Sequence, residues 1–401
     1  MKSLHVINKT QKLPCVTTAR MWLMKLGYYE LTRPKEIAND WIWIMDHTIQ
    51  IGKQKSLVIL GVRAKNLPKN RSLQYEDTSI IDIVPVTKSN GEIVYEQMQK
   101  TMEKTGTPIA VVADKGSDIK SGIDKFCDIH KNCNYIYDLK HKIAILLKNI
   151  LEKDEKYGEF KQTLTLISNK LQQTSLAKYK PPKARKKSRY MNINEEIRWA
   201  KNSLIIKKNI ENQEKKNDDE KKFLEVFSDL SNFETEINEY NEMVDVISFT
   251  HQFMNKYNLR KDSYQKLLKS QIKSKQNGSF VITTPKAKKL NNEILDFIEK
   301  EQTICKKDER LLHSSEIIES IFGKFKYMEN EQSHSNFTGF ILSIGAIVSK
   351  KTNEIIKTAM EKVTNATIYK WEKDNIGENI KVEKGKAYSE VETKIGYCFC
   401  E

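Results

Sequence analysis

Two aspartates in this chain sit where an ionised side chain is costly. Asp46 closes the run Trp41-Ile-Trp-Ile-Met45 and leads into a second strand-forming stretch, His47-Thr-Ile-Gln-Ile-Gly52. Asp114 ends the apolar Ile109-Ala-Val-Val-Ala113 and precedes Lys115-Gly-Ser117, residues that suit a turn. A charge set among strand formers needs a partner or a purpose. Two glutamates open a later segment, Ser314-Ser-Glu-Ile-Ile-Glu-Ser-Ile-Phe-Gly-Lys-Phe-Lys326. Their spacing puts Glu316, Glu319 and Lys326 on roughly one face of a helix. Carboxylates converging from rigid elements suit Mg²⁺, which prefers hard oxygen ligands in octahedral geometry. Two such ions about 3.5–4 Å apart activate a water or hydroxyl and stabilise a leaving oxygen in phosphodiester chemistry. The candidate metal ligands are therefore Asp46, Asp114 and one of Glu319 and Glu316, with Lys326 placed to meet a phosphate. Asp118 competes with Asp114, which also reads as an ordinary strand-ending turn acid.

The elements that must position these acids are legible as pattern. Residues 41–45, 56–62 and 79–86 are aromatic, apolar or β-branched and predict three consecutive strands. A helix over 91–104 follows, then a buried strand over 108–113, a helix over 119–130, a short strand over 135–137 and a long helix from Leu139. That order, β-β-β-α-β-α-β-α, is the core of an RNase H-like fold. It predicts an α/β protein with a mixed five-stranded sheet flanked by helices, the acids at the carboxyl edge of a buried strand, where ligand sites gather. Five parts are expected: 1–40, a short helical segment; 41–151, the first part of the core; 152–310, a mainly helical insertion; 311–350, the helix with the last acid; and 351–401, a helical tail. In the first part, Val16–Gly27 predicts a helix capped by Thr17 or Thr18 and stopped at Gly27, its apolar face being Trp22, Leu23 and Leu26. It fits either the second helix of a helix-turn-helix or a helix packed on the main domain. In the insertion, helical patterns run over 219–230 and 233–255.

The chain has 401 residues, 68 Lys plus Arg against 53 Asp plus Glu, and a formal charge of +15, which favours a polyanionic partner. The segment Lys178–Arg189 holds seven basic residues, no acid and two prolines. It reads either as a solvated linker or as a phosphate contact through Lys183, Arg185, Lys186, Lys187 and Arg189. The longest apolar run, Phe337 to Val348, is too short for a membrane span, and residues 1–30 contain no signal-peptide core. The six cysteines are too scattered for a disulfide framework, so a cytoplasmic protein is expected. Cys127, His130 and Cys133 offer the beginning of a zinc site but lack a regularly spaced fourth ligand.

Taken in order, WIWIMDHTIQIG, VVADKGSD, YIYDLKH and SSEIIESIFGKFK resemble bacterial insertion-sequence transposases of the DDE superfamily. The resemblance implies Asp46, Asp114 and Glu319 as catalytic metal ligands for two Mg²⁺ ions, replaceable by Mn²⁺, and Lys326 as a phosphate contact. It implies Asp138 and His141 as supporting residues, equivalent to an Asp-x-x-His after the fifth strand. An Asp N-cap followed by a solvated or core histidine explains that pair equally well. The 181-residue spacing from Asp138 to Glu319 matches members with a large insertion. The expected activity is strand cleavage and strand transfer on double-stranded DNA, at element ends and target, by a homo-oligomer on the bacterial nucleoid. Only 45 residues precede Asp46, fewer than such families place there. The expectation is an N-terminally truncated copy whose residues 13–27 are the remnant of a helix-turn-helix. A DNA-binding derivative without activity, and another RNase H-like nuclease, are the rivals.

Overall fold

The computed structural model describes residues 14–48, 55–183, 190, 193–330 and 338–376. They fall into two compact units. Of the described residues, the first takes in those up to 68, 72–136 and those from 314 on, the second 69–71 and those within 137–313.

The first unit is built around a mixed five-stranded sheet. Helix α1 (Val16–Thr32) precedes β1 (Trp41–His47), β2 (Lys55–Arg63) and β3 (Ser79–Val86). Then come α2 (Gly91–Thr105), β4 (Ala110–Ala113), α3 (Ser117–Ile129) and β5 (Asn134–Tyr137). The spatial order is β3-β2-β1-β4-β5. Strands β1, β2 and β3 are antiparallel neighbours, whereas β1 and β4 run parallel. Residues 41–45 of β1 and all of β4 are buried, which explains why both read as unbroken apolar runs: each is covered on both faces. Alternation separates the faces. Trp43, Met45, Val111 and Ala113 pack with Val94, Met98, Ile123 and Phe126 of α2 and α3. Strand β3 forms one edge of the sheet, where Pro85 removes no needed ladder donor.

The second unit is helical: α4 (Leu139–Leu151), α5 (Glu155–Leu171), α6 (Ile193–Glu211), α7 (Asp218–Val226), α8 (Glu234–Tyr257), α9 (Ser263–Gln276) and α10 (Pro285–Glu301). Its core holds Tyr157, Phe160, Phe233 and Tyr240, with ring centroids 5.5–6.3 Å apart. Among the expected helical stretches, 219–230 ends earlier, at Val226, and passes into a 3₁₀ turn over Asp229–Phe233 before α8 begins.

The chain then completes the first unit with α11 (Glu316–Asn330), α12 (Ser343–Val348), α13 (Asn353–Lys362) and α14 (Asn365–Asn375). The described part of the apolar run before residue 349 is a buried 3₁₀ turn, Gly339–Leu342, that passes into α12, every residue of which is buried. No helix among the described residues is long and apolar enough to cross a membrane.

Helix α1 departs from expectation. It does not stop at Gly27 but runs to Thr32, and its N-cap is Cys15, without a side-chain cap hydrogen bond, rather than a threonine. Gly27 is required for close approach: a Cβ there would lie 1.7 Å from the carbonyl oxygen of Leu342, at the start of α12. Gly345 of α12 meets the backbone of Gly27 in return, its own Cβ position lying 2.6 Å from the Gly27 oxygen. The packed face is Leu23 and Leu26 against Ala346 and Ala359, while Trp22 is 47% exposed. Glu30 is buried, paired with Arg33 at 2.7 Å and accepting a hydrogen bond from Ser349 at 2.9 Å.

Candidate active site

The two strand acids are brought together by register. Strand β1 pairs with β4 as Ile42 with Ala110, Trp43 with Val111 and Ile44 with Val112. The same offset carried to the ends of both strands sets Asp46 level with Asp114. Both positions share parity with Ile42, Ile44 and Val112, so they lie on the face opposite α2 and α3. Helix α11 packs against β1, and Ile318, Ile321, Phe322 and Phe325 are its buried stripe. The hydroxyl of Ser314 accepts a hydrogen bond from the amide of Glu316 at 3.2 Å, capping the start of that helix.

Local hydrogen bonds hold the carboxylates. The His47 amide donates to Asp46 Oδ1 at 2.7 Å, and the Gly116 amide donates to Asp114 Oδ1 at 2.9 Å. The Tyr135 hydroxyl of β5 donates to the carbonyl oxygen of Asp114, tying the turn after β4 to the neighbouring strand. Asp46 is the electrostatic centre. Burial pushes its carboxyl up, the charge of Asp114 adds to this and that of Glu319 further, while the His47 amide and Lys326 pull the other way, leaving it at about 7. Asp46, Asp114, Glu319 and Lys326 therefore share one neighbourhood. Glu319 is the α11 acid whose charge acts there; Glu316 lies nearly one turn earlier. Asp46, Asp114 and Glu319 offer hard oxygen donors in one neighbourhood, the donor chemistry a divalent cation such as Mg²⁺ takes. Among the described residues, however, no three His, Cys, Asp or Glu side chains already stand in metal-holding geometry. Asp46, Asp114 and Glu319 would have to draw in around an ion.

A second cluster lies beside the first and was not read from the sequence. Lys55 Nζ is 2.7 Å from Asp118 Oδ2, His47 Nδ1 is 3.8 Å from the same oxygen, and His47 Nε2 is 3.3 Å from Ser89 Oγ. Burial and the Lys55 charge hold the His47 imidazole down to about 4, against the opposing pull of Asp118. Burial raises Asp118, but hydrogen bonds from Lys55 and Ser89 outweigh it and hold that carboxyl well below the usual carboxylate range. Asp118 is thus the ion-pair partner of Lys55, which separates it from the role open to Asp114. The available signal was the lysine that begins β2, opposite the acid-bearing end of β1.

Asp138 is buried in the second unit and caps α4, accepting from the His141 amide at 2.8 Å. Lys183 is exposed, whereas Arg185, Lys186, Lys187 and Arg189 lie outside the described residues, as do Cys398 and Cys400. Cys127, His130 and Cys133 form no metal-holding group among the described residues. Cys133 is buried in the sheet core with Cys127 packed against it. His130 stacks on Phe126 at 4.4 Å, its Nε2 lying 3.3 Å from Gln99 Oε1. Contact with the Cys127 thiol, and burial, push the Cys133 thiol upward.

No family model and no curated protein matches this sequence. Among solved structures, the Drosophila P element transposase strand transfer complex is similar at a TM-score of 0.39 and 11% sequence identity, over 86% of this chain and 87% of that one.

Proposed function

We propose that this protein is a DNA transposase of the DDE type, with Asp46, Asp114 and Glu319 as the catalytic carboxylates on an RNase H-like sheet. One observation carries the reading: the β1–β4 register sets Asp46 level with Asp114, and the charges of Asp114 and of Glu319 from α11 both raise the half-buried carboxyl of Asp46, although the three acids are far apart in the chain. Structural ion pairs bring opposite charges together; like charges gathered around a half-buried carboxyl favour a functional site. The sheet order β3-β2-β1-β4-β5, with β1 parallel to β4, supports the same assignment. The net charge of +15 suits a nucleic-acid substrate.

Asp46, Asp114 and Glu319 would hold Mg²⁺ or Mn²⁺, which when bound would supply the Lewis acidity an in-line displacement at phosphorus needs at its attacking and leaving oxygens. Lys326, already near Asp46, is placed to neutralise a phosphate oxygen of the bound strand. The Asp114 turn, fixed by the Gly116 amide and the Tyr135 hydroxyl, keeps one carboxylate in position. Hydrolysis at an element end frees a 3′-hydroxyl, and attack of that hydroxyl on target DNA is the same displacement at the same carboxylates. Two ends must be held at once, so the working form is a homo-oligomer. Glu316, Asp138 and His141 are assigned at most supporting roles.

The test is nicking and strand joining on labelled duplex DNA, with Mg²⁺ or Mn²⁺ against chelator, for the parent, Asp46→Ala and Glu319→Ala. Metal-dependent products from the parent and none from either variant support the assignment. Variants that cut as well as the parent, or a parent that binds but never cuts, would leave a DNA-binding derivative as the better reading.

A further inference from the structure

Helix α9 of the second unit carries a basic face that no acid balances. Its sequence, Ser263-Tyr-Gln-Lys-Leu-Leu-Lys-Ser-Gln-Ile-Lys-Ser-Lys-Gln276, contains four lysines and no aspartate or glutamate. Lys266, Lys269, Lys273 and Lys275 are all exposed. None of them makes an ion pair among the described residues. Other lysines of this unit are balanced: Lys161 pairs with Glu196 at 2.5 Å, Lys207 with Glu211 at 3.3 Å, and Lys286 with Asp154 and Glu239 at 2.8 and 2.7 Å. The acid nearest in sequence, Asp262, accepts from the Tyr257 hydroxyl at 3.2 Å through both oxygens.

The spacing gives the face its shape. At 3.6 residues per turn, Lys266 and Lys273 are nearly in line and Lys269 is offset by about 60°, forming one stripe. Seven residues at about 1.5 Å rise span roughly 10 Å, the length over which one DNA strand presents about three phosphates at about 3.4 Å each. The platform is anchored from behind. Leu267 and Gln271 are buried, and Gln271 Nε2 donates to Asn291 Oδ1 of α10 at 2.7 Å. The Tyr264 amide donates to Gln302 Oε1 at 2.9 Å. A helix that binds a membrane surface exposes an apolar face; on α9 the one large apolar side chain left exposed is Ile272.

We infer that the Lys266–Lys269–Lys273 stripe of α9 is a docking surface for the sugar-phosphate backbone of duplex DNA. This rests on the proposed action on DNA but concerns a surface outside the carboxylate site. Contacts of this kind position the duplex and carry no sequence information.

The experiment measures binding of the full chain to labelled duplex DNA across a salt series without divalent metal. It compares the parent, K266Q/K269Q/K273Q, K266R/K269R/K273R and the charge-matched surface control K170Q/K215Q/K222Q. Each lost phosphate contact lowers the slope of log affinity against log salt by about one. The glutamine variant should therefore lose about 2–3 of the parent's slope. Between 50 and 200 mM salt the parent's affinity should fall roughly 40-fold more than the variant's. The arginine variant and the surface control should keep the parent's slope. An unchanged slope in the glutamine variant, or an equal loss in the control, overturns the inference while leaving the carboxylate chemistry untouched. Capture of the parent by phosphatidylserine vesicles, lost in the glutamine variant while the DNA slope stays the same, assigns the stripe to a membrane and overturns it also. A parent that binds no DNA removes both this surface and the proposed function.

Discussion

At the scale of single residues, Asp46 governs how the site should respond to pH. Its folded-state value of about 7 stands above the ordinary 3.8, so between these the native protein keeps a proton that the unfolded chain has released. That contribution to stability is complete below about pH 4 and is lost as pH rises through 7. The metal-free protein should therefore lose stability over this window. Asp46→Asn should remove most of the loss, raising the melting temperature at pH 8 but not at pH 4. At about 1.4 kcal/mol per pKa unit the effect is on the order of a few kcal/mol. A flat comparison of the two melting curves across pH would mean that Asp46 is solvated like an ordinary surface acid. The same charge crowding predicts that Mg²⁺ raises the melting temperature more at pH 8 than at pH 6, because ligation needs the ionised carboxylate. Under the proposed function, Asp46→Ala, Asp114→Ala and Glu319→Ala should each reduce DNA cleavage by roughly 10³-fold, equivalent to several kcal/mol of barrier. Single-turnover rates at saturating DNA would measure this, and an equal loss in Glu316→Ala would shift the helix ligand to that residue.

At the scale of elements, the crossing of α1 and α12 is the most sensitive joint. A Cβ on Gly27 collides with backbone rather than with the end of a flexible side chain. Gly27→Ala should therefore destabilise by at least about 1–3 kcal/mol, the usual range for overpacking. Gly158 in α5 and Gly323 in α11 meet nothing within 4 Å. There alanine should stabilise by about 0.5–1 kcal/mol through helix propensity. Thermal melts of the three variants should diverge in sign, and a stabilised Gly27→Ala would show that α1 does not cross α12 this closely. This joint also shows why glycine was misread. In one dimension a glycine after an apolar helix signals a stop, and only the facing helix reveals that it is a contact. The strands were more legible: residues 79–86 form β3 with the expected ends, because β-branched runs bounded by turns leave few alternatives.

At the scale of the whole molecule, the sheet-containing unit carries the carboxylates and the helical unit carries the unbalanced lysines of α9. If DNA is the substrate, Asp46→Ala should bind metal-free duplex DNA with the parent's salt dependence while failing to cut it. The substitution removes no phosphate contact. A loss of binding equal to the loss of cleavage would instead place Asp46 in DNA recognition.

The order of strands and helices, the two acids at the ends of buried strands and the acidic start of α11 were all determined by the sequence, because periodicity and burial cost act over a few neighbouring residues. Which strands become neighbours was decided by tertiary structure. The β1–β4 register that sets Asp46 beside Asp114, the approach of Glu319, and the diversion of Asp118 to Lys55 all join residues distant in the chain. The same holds for α1: its amphipathic pattern suited either a free recognition helix or a packed one, and the mutual fit of Gly27 and Gly345 placed it in the core. Pairings of this kind follow from the packing of whole faces, and no local pattern in the chain encodes them.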